Sequence, residues 1–251
     1  MNMQDKLNKL YADKWKSLKD NAFKGACNPL LIKVTDEYIE ADIKVVIYGQ
    51  ETAGWNKDLC DDFSMEYLLN DYEAYLGNDK AYFDDRDGCY AHSKKRIKRK
   101  NKRVFWNRRG FKFFTEQLKV DSDGKSVAFL WNNLSKIGKA SKSGKATKCI
   151  AELEDKHFNV LKGEFEILKP NVVIFFTGPS RDSIIEEKLE AKIEQFSSNY
   201  TEKRQLAKVV FKDERILGVR TYHPGYRCTA KVRQKRYQKI IDKIDKIRAV
   251  I

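Results

Sequence analysis

Metal-binding groups are sparse in this chain. Its five cysteines, Cys27, Cys60, Cys89, Cys149 and Cys228, form no CxxC pair, and there are only three histidines. Zinc and iron-sulfur sites draw ligands from close spacings, so no metal and no cofactor is expected, and the odd cysteine count fits reduced thiols. No apolar run approaches the length of a membrane-spanning helix, and the first twenty residues lack the apolar centre of a signal peptide. Nor is there a GxGxxG or Walker-type loop, which weakens the reading of a nucleotide-binding α/β enzyme. These absences lead to the expectation of a soluble, intracellular protein.

What the chain has in excess is positive charge. Fifty Lys and Arg stand against 36 Asp and Glu, a net charge of +14. Such an excess suits a polyanionic partner such as nucleic acid. An anionic membrane surface would attract the same charge, but a membrane partner is not expected. With 251 residues, 41% of them hydrophobic, the chain is long enough for one domain with a sizeable core. Residues 58–90 are acidic and aromatic and 93–112 intensely basic; the reading is a single domain over 1–251 with a basic insertion at about 70–112. In it Lys98, Arg99, Lys100 and Arg103 are the candidate phosphate contacts, interleaved with Phe105, Trp106, Phe111 and Phe113. A solvated face is the plainer alternative.

Hydrophobic periodicity supplies the fold class. Leu7, Leu10, Tyr11, Trp15 and Leu18 recur at helical spacing. Short β-branched runs at 43–48, 126–131, 171–176, 207–212 and 216–222 read as strands, with helical patterns at 105–118, 149–168, 180–196 and from 229 onward. Strands that are nearly all apolar, alternating with helices, predict an α/β fold: a single-domain, three-layer α/β/α arrangement around a central, mostly parallel four-stranded sheet.

Ligands of open parallel sheets bind beyond the carboxyl ends of the strands. There this sequence places Gly49, Gln50 and Glu51, then Asn132 and Asn133, then Thr177 and Gly178, then His223, Pro224 and Gly225. A carboxylate, a carboxamide and an imidazole are expected to meet at one edge.

That order resembles the uracil-DNA glycosylase superfamily. "GQETAG" (49–54) is similar to the family's Gly-Gln-Asp-Pro-Tyr-His motif, with Glu51 at the acidic position; "FLWNN" is similar to the strand ending in a base-reading asparagine, and "HPG" (223–225) to the last motif. The resemblance implies a DNA glycosylase of a cluster-free branch that flips a base and hydrolyses its glycosidic bond, with DNA as its partner and the chain expected as a monomer in the cytoplasm, associated with the nucleoid. Glu51 and His223 would be catalytic: Glu51 would stabilise the cationic sugar and activate water, and His223 would donate to the base as charge develops. Gly49, Gln50, Ala53, Phe63 and Asn132 would form the base pocket, Phe63 by stacking and Asn132 by reading the Watson-Crick edge. Ala53 stands where the family keeps a tyrosine that blocks C5 substituents, which implies room for a C5-modified pyrimidine, in repair or in defence against phage with modified DNA. Tyr226 or Arg227 would fill the gap left by the extruded nucleotide.

Plainer roles stand beside these. Glu51 can cap a helix, Asn132 can satisfy a turn, Phe63 can be core and His223 a turn residue. The rival from another class is a nucleic-acid-binding protein that keeps the fold without the chemistry.

Overall fold

Val45, Val46 and Ile47 lie at the centre of β1 (Ile43–Glu51), and every residue from Val45 to Gly49 is buried. A strand covered on both faces needs apolar residues at consecutive positions, which this run supplies. The structure, a computed structural model, describes residues 1–52, 55, 58–77, 103–120, 124–140, 144–196 and 200–248. β1 pairs in parallel with β2 (Val127–Ser135) on one side and β3 (Val172–Phe176) on the other. β6 (Leu217–Thr221) continues the parallel set beyond β3, β5 (Leu206–Val210) runs antiparallel to β6, and β4 (Lys192–Gln195) antiparallel to β5. The order is β2-β1-β3-β6-β5-β4.

The expected four-stranded, mostly parallel sheet is thus corrected to a six-stranded mixed one. β4 accounts for part of the difference. Its sequence, Lys-Ile-Glu-Gln, sits inside the helical pattern read over 180–196, but the helix ends at Leu189 and Glu190 turns the chain at φ 51°. β4 is an edge strand of mainly exposed polar residues, which discourages pairing with other chains and erases the apolar alternation that marks a strand.

The helices are α1 (Met3–Asp20), α2 (Asp36–Glu40), α3 (Met65–Gly77), α4 (Phe111–Val120), α5 (Lys148–His157), α6 (Leu161–Leu168), α7 (Asp182–Leu189), α8 (Tyr200–Gln205) and α9 (Ala230–Arg248). A reciprocal cap between Asn2 and Asp5 starts α1, which buries Leu7, Tyr11 and Leu18 as the spacing predicts. The single helix expected over 149–168 is divided between α5 and α6. Phe158 and Val160 are both buried at the break, and residues two apart in a continuous helix do not share a face.

Strand parity separates the two sides of the sheet. Tyr48, Asn132 and Phe175 face the side where Tyr11 of α1 and Glu164 of α6 meet. Trp131 and Phe176 face the opposite side, against Tyr72 of α3, Phe114 of α4 and Tyr237 of α9. Leu68, Tyr72, Phe114 and Leu118 are fully buried, and Phe105 and Trp106 nearly so. The parts of the expected insertion at 70–77 and 103–112 therefore lie in elements that build the core; Lys98, Arg99 and Lys100 lie outside the described residues. Among the described residues no helix is long and apolar enough to cross a membrane.

Gly138 marks a tight crossing after β2. Its carbonyl accepts from Cys27 N at 2.9 Å, and a Cβ built on it would lie 1.8 Å from the Thr52 carbonyl oxygen. Gly138→Ala is expected to cost about 1–3 kcal/mol through overpacking, read as a lower urea midpoint; an unchanged midpoint would contradict this packing.

Candidate functional site

A cavity of about 460 Å³ opens at the carboxyl edge of the sheet, lined by Gln50, Thr177, Gly178, Tyr222, His223 and Tyr226 among others. A larger one of about 940 Å³ lies near Asn171, Phe211 and Ile216, at the opposite edge. Its rim charges satisfy one another, Lys162 and Lys212 both pairing with Glu190. Strand ends and chemistry together assign the site to the smaller cavity.

β1 brings Gln50 to the cavity, where its amide nitrogen donates to the Thr177 carbonyl at 2.8 Å. The turn after β6 brings His223. The Gly225 backbone N–H donates to His223 Nδ1 at 3.0 Å, so Nδ1 is an acceptor and the neutral ring carries its proton on Nε2. Burial lowers the pKa of this imidazole. The two effects agree: His223 is a neutral N–H donor, with its ring packed against Phe105 at 6.1 Å between centroids.

This fixes a sign. The unfolded chain takes up a proton on His223 near the ordinary value of about 6.5, before the folded chain does. Stability contributed by the buried neutral ring is present at high pH and is lost as pH falls through that range. If His223 acts as the donor that the glycosylase resemblance implies, base release is expected to be flat from neutral to mildly alkaline pH and to fall only on the acid side. A rate that rises on acidification would contradict a neutral donor.

Beside His223 the backbone of β1 lies open to the next layer. A Cβ at Gly49 would meet Asn133 Oδ1 at 2.3 Å and the Phe105 ring at 3.3 Å, so glycine is required for this close approach. Asn133 is buried, its Oδ1 accepts from Trp131 Nε1 at 3.2 Å, and its Nδ2 has no hydrogen-bond partner among the described residues. Thr177 Oγ1 is also buried with no hydrogen-bond partner among the described residues. A buried polar atom left unpaired calls for an explanation, and a ligand group is one.

Two expected base-pocket residues are not brought here. Asn132 points to the other face of the sheet, donating to Glu164 Oε2 at 2.9 Å and accepting from Lys136 Nζ at 2.6 Å. Consecutive strand residues face opposite sides, so Asn133 takes the position on Gly49's side. Phe63 packs against Tyr67 at 4.7 Å and against the core, while the ring beside Gly49 and His223 is Phe105. Ala53 lies outside the described residues.

Glu51 stands next to Gln50 but does not line the cavity. Its Oε2 accepts from Arg181 Nη2 at 3.0 Å and from Ala146 N at 3.2 Å, and both side chains of the ion pair are less than a tenth exposed. Sequence reading missed Arg181, which follows the Gly-Pro-Ser turn after β3. Among the described residues both bonds fall on Oε2, which fixes the carboxylate in direction.

At the mouth, Tyr226 is 48% exposed and lies flat on Tyr222, with centroids 3.8 Å apart and planes within 6°. It thus forms a stacked ledge rather than a free wedge. Arg227 and Arg103 are exposed. Among the described residues no cluster of three or more His, Cys, Asp or Glu forms a metal site. No protein-family model and no curated protein matches this sequence.

Proposed function

We propose that this chain is a monofunctional DNA glycosylase similar to the uracil-DNA glycosylase superfamily, its four parallel strands forming the glycosylase-like core and β4 and β5 extending one edge. The observation that carries the reading is His223: an imidazole with its Nδ1 occupied and its proton on Nε2, lining a cavity shared with Gln50, one residue from an oriented carboxylate.

In this reading a flipped pyrimidine enters the cavity from a DNA strand held by the basic surface. The glycosidic bond breaks with its electron pair moving to the base, and the Nε2–H of His223 donates to the oxygen where that charge collects. The sugar becomes cationic, and the carboxylate of Glu51, held by Arg181, stabilises it electrostatically. Water adds at C1′, its proton passes to solvent or to the departing base, and an abasic site remains. Asn133 replaces Asn132 as the candidate base reader, and Phe105 replaces Phe63 as the candidate stacking ring. Ala53 supports a substrate with a C5 substituent, which suits repair or defence against phage with modified pyrimidines.

One observation favours a second reading, a nucleic-acid-binding protein without catalysis: Glu51 is engaged by a guanidinium rather than open to water. Glu51→Gln separates the two. The glycosylase reading expects excision from matched oligonucleotides to be lost while DNA binding persists. Binding by the wild type with no excision of uracil or any C5-substituted pyrimidine would establish the second.

A further inference from the structure

The sequence from Tyr222 to Ile241 holds Arg227, Lys231, Arg233, Lys235, Arg236 and Lys239 and no acidic residue. It contains the start of α9, whose first turn also lacks an acid. Helix side chains lean toward the N-terminus, and Arg233 and Arg236, three apart, share a face there. Both guanidinium groups reach the thiol of Cys228, Arg236 Nη2 at 3.2 Å and Arg233 Nη1 at 4.0 Å. Arg236 is only 7% exposed, and its Nε and Nη1 have no hydrogen-bond partner among the described residues.

Buried guanidinium groups are ordinarily paired with an anion, and the amino end of a helix carries a further partial positive charge. Here a buried arginine, a second arginine and a helix start converge on a cysteine sulfur, and no carboxylate among the described residues bonds to either guanidinium. Cys228 and Arg233 are both partly exposed, so the cluster reaches the surface. Tyr222 connects it to the cavity: its ring lines the cavity wall and carries the Arg236 guanidinium 5.6 Å from its centre.

We infer that Arg236, Arg233 and the N-terminus of α9 form a phosphate-binding site next to the cavity, and that its occupant is a backbone phosphodiester of the strand whose base is presented to His223. The inference deepens the glycosylase reading, and its ligand chemistry, a phosphate oxygen pair against a guanidinium fork, is testable without it.

Cys228 is a reporter built into the site. The rate of iodoacetamide labelling is measured at each cysteine by mass spectrometry, with exposed Cys60 and Cys149 as internal controls. A short oligonucleotide without modified bases, at ten times its dissociation constant, is expected to slow labelling of Cys228 about tenfold and leave the controls unchanged. Protection by the oligonucleotide but not by inorganic phosphate identifies a strand phosphodiester; equal protection by inorganic phosphate identifies a free anion, keeping the site but overturning the strand assignment. Arg236→Gln is expected to abolish protection and Arg236→Lys to retain part of it; should Arg236→Gln unfold, Arg233→Gln, at a part-exposed position, is expected to weaken it. Unprotected Cys228 in the presence of bound DNA and of phosphate overturns the site. Protection without base release from any substrate would leave the phosphate site standing and remove the glycosylase reading, and base release with Cys228 unprotected would do the reverse.

Discussion

His223→Ala is expected to slow base release by about 10²–10³-fold, the loss that follows removal of one oriented donor from a site of developing negative charge. The size of the effect comes from the setting. Gly225 N–H occupies Nδ1, so the neutral ring's one N–H is on Nε2, His223 lines the cavity, and burial favours the neutral ring. A donor aimed in advance at a partly desolvated position needs no reorganisation when charge appears. His223→Gln, which keeps an N–H donor at a similar reach but on a flexible side chain, is expected to recover part of the rate. The measurement is single-turnover excision with enzyme in excess, so product release does not mask chemistry. Because the His223 ring also packs on Phe105, thermal midpoints of both variants separate lost packing from lost donation. Unaltered excision in His223→Ala would make the histidine a turn residue.

The second large effect lies on the other face of the sheet. Lys136 and Glu164 are fully buried and pair at 2.8 Å, and the cluster is completed by Tyr11 Oη donating to Glu164 at 2.7 Å and by Asn132. Burial pushes the Lys136 pKa down, and the charge of Glu164 opposes that shift. Lys136→Ala would leave the Glu164 carboxylate buried without its counter-charge, at an expected cost of about 3–5 kcal/mol in urea unfolding. Replacing both charges together, Lys136→Met with Glu164→Gln, is expected to recover most of that loss, since a neutral pair removes the uncompensated ion. A Lys136→Ala protein as stable as the wild type would show that the pair does not hold this side of the fold. The network matters to the site because it holds Asn132 down and so fixes Asn133, on the same strand, toward Gly49.

The parallel core was legible because β1, β2, β3 and β6 are short apolar runs, buried on both faces, separated by helical periodicity. The same property hid which asparagine faces Gly49's side. In "FLWNN" there is no alternation to show which residue faces which side, and a shift of one position exchanges Asn132 for Asn133. Phe105 was hidden by composition: it follows a run of Lys and Arg that reads as a surface, yet its ring lies beside Gly49 and is 9% exposed. Arg181 and Arg236 carried no sequence signal, because an arginine's burial depends on what packs around it. Gln50 and His223 were legible because each directly ends or follows an apolar strand, where topology alone places it at the sheet edge.

In the proposed reading, the cavity between Gln50 and His223 supports removal of a pyrimidine base. The most direct test of that reading is mass-spectrometric detection of free base released from uracil-containing, unmodified, hydroxymethylated and glucosylated phage DNAs. One pyrimidine is expected in the supernatant from at least one of the uracil-containing or modified DNAs, none from the unmodified control, and none from any of them with Glu51→Gln. No free base from any of these DNAs, under conditions where the protein is bound to them, would contradict it.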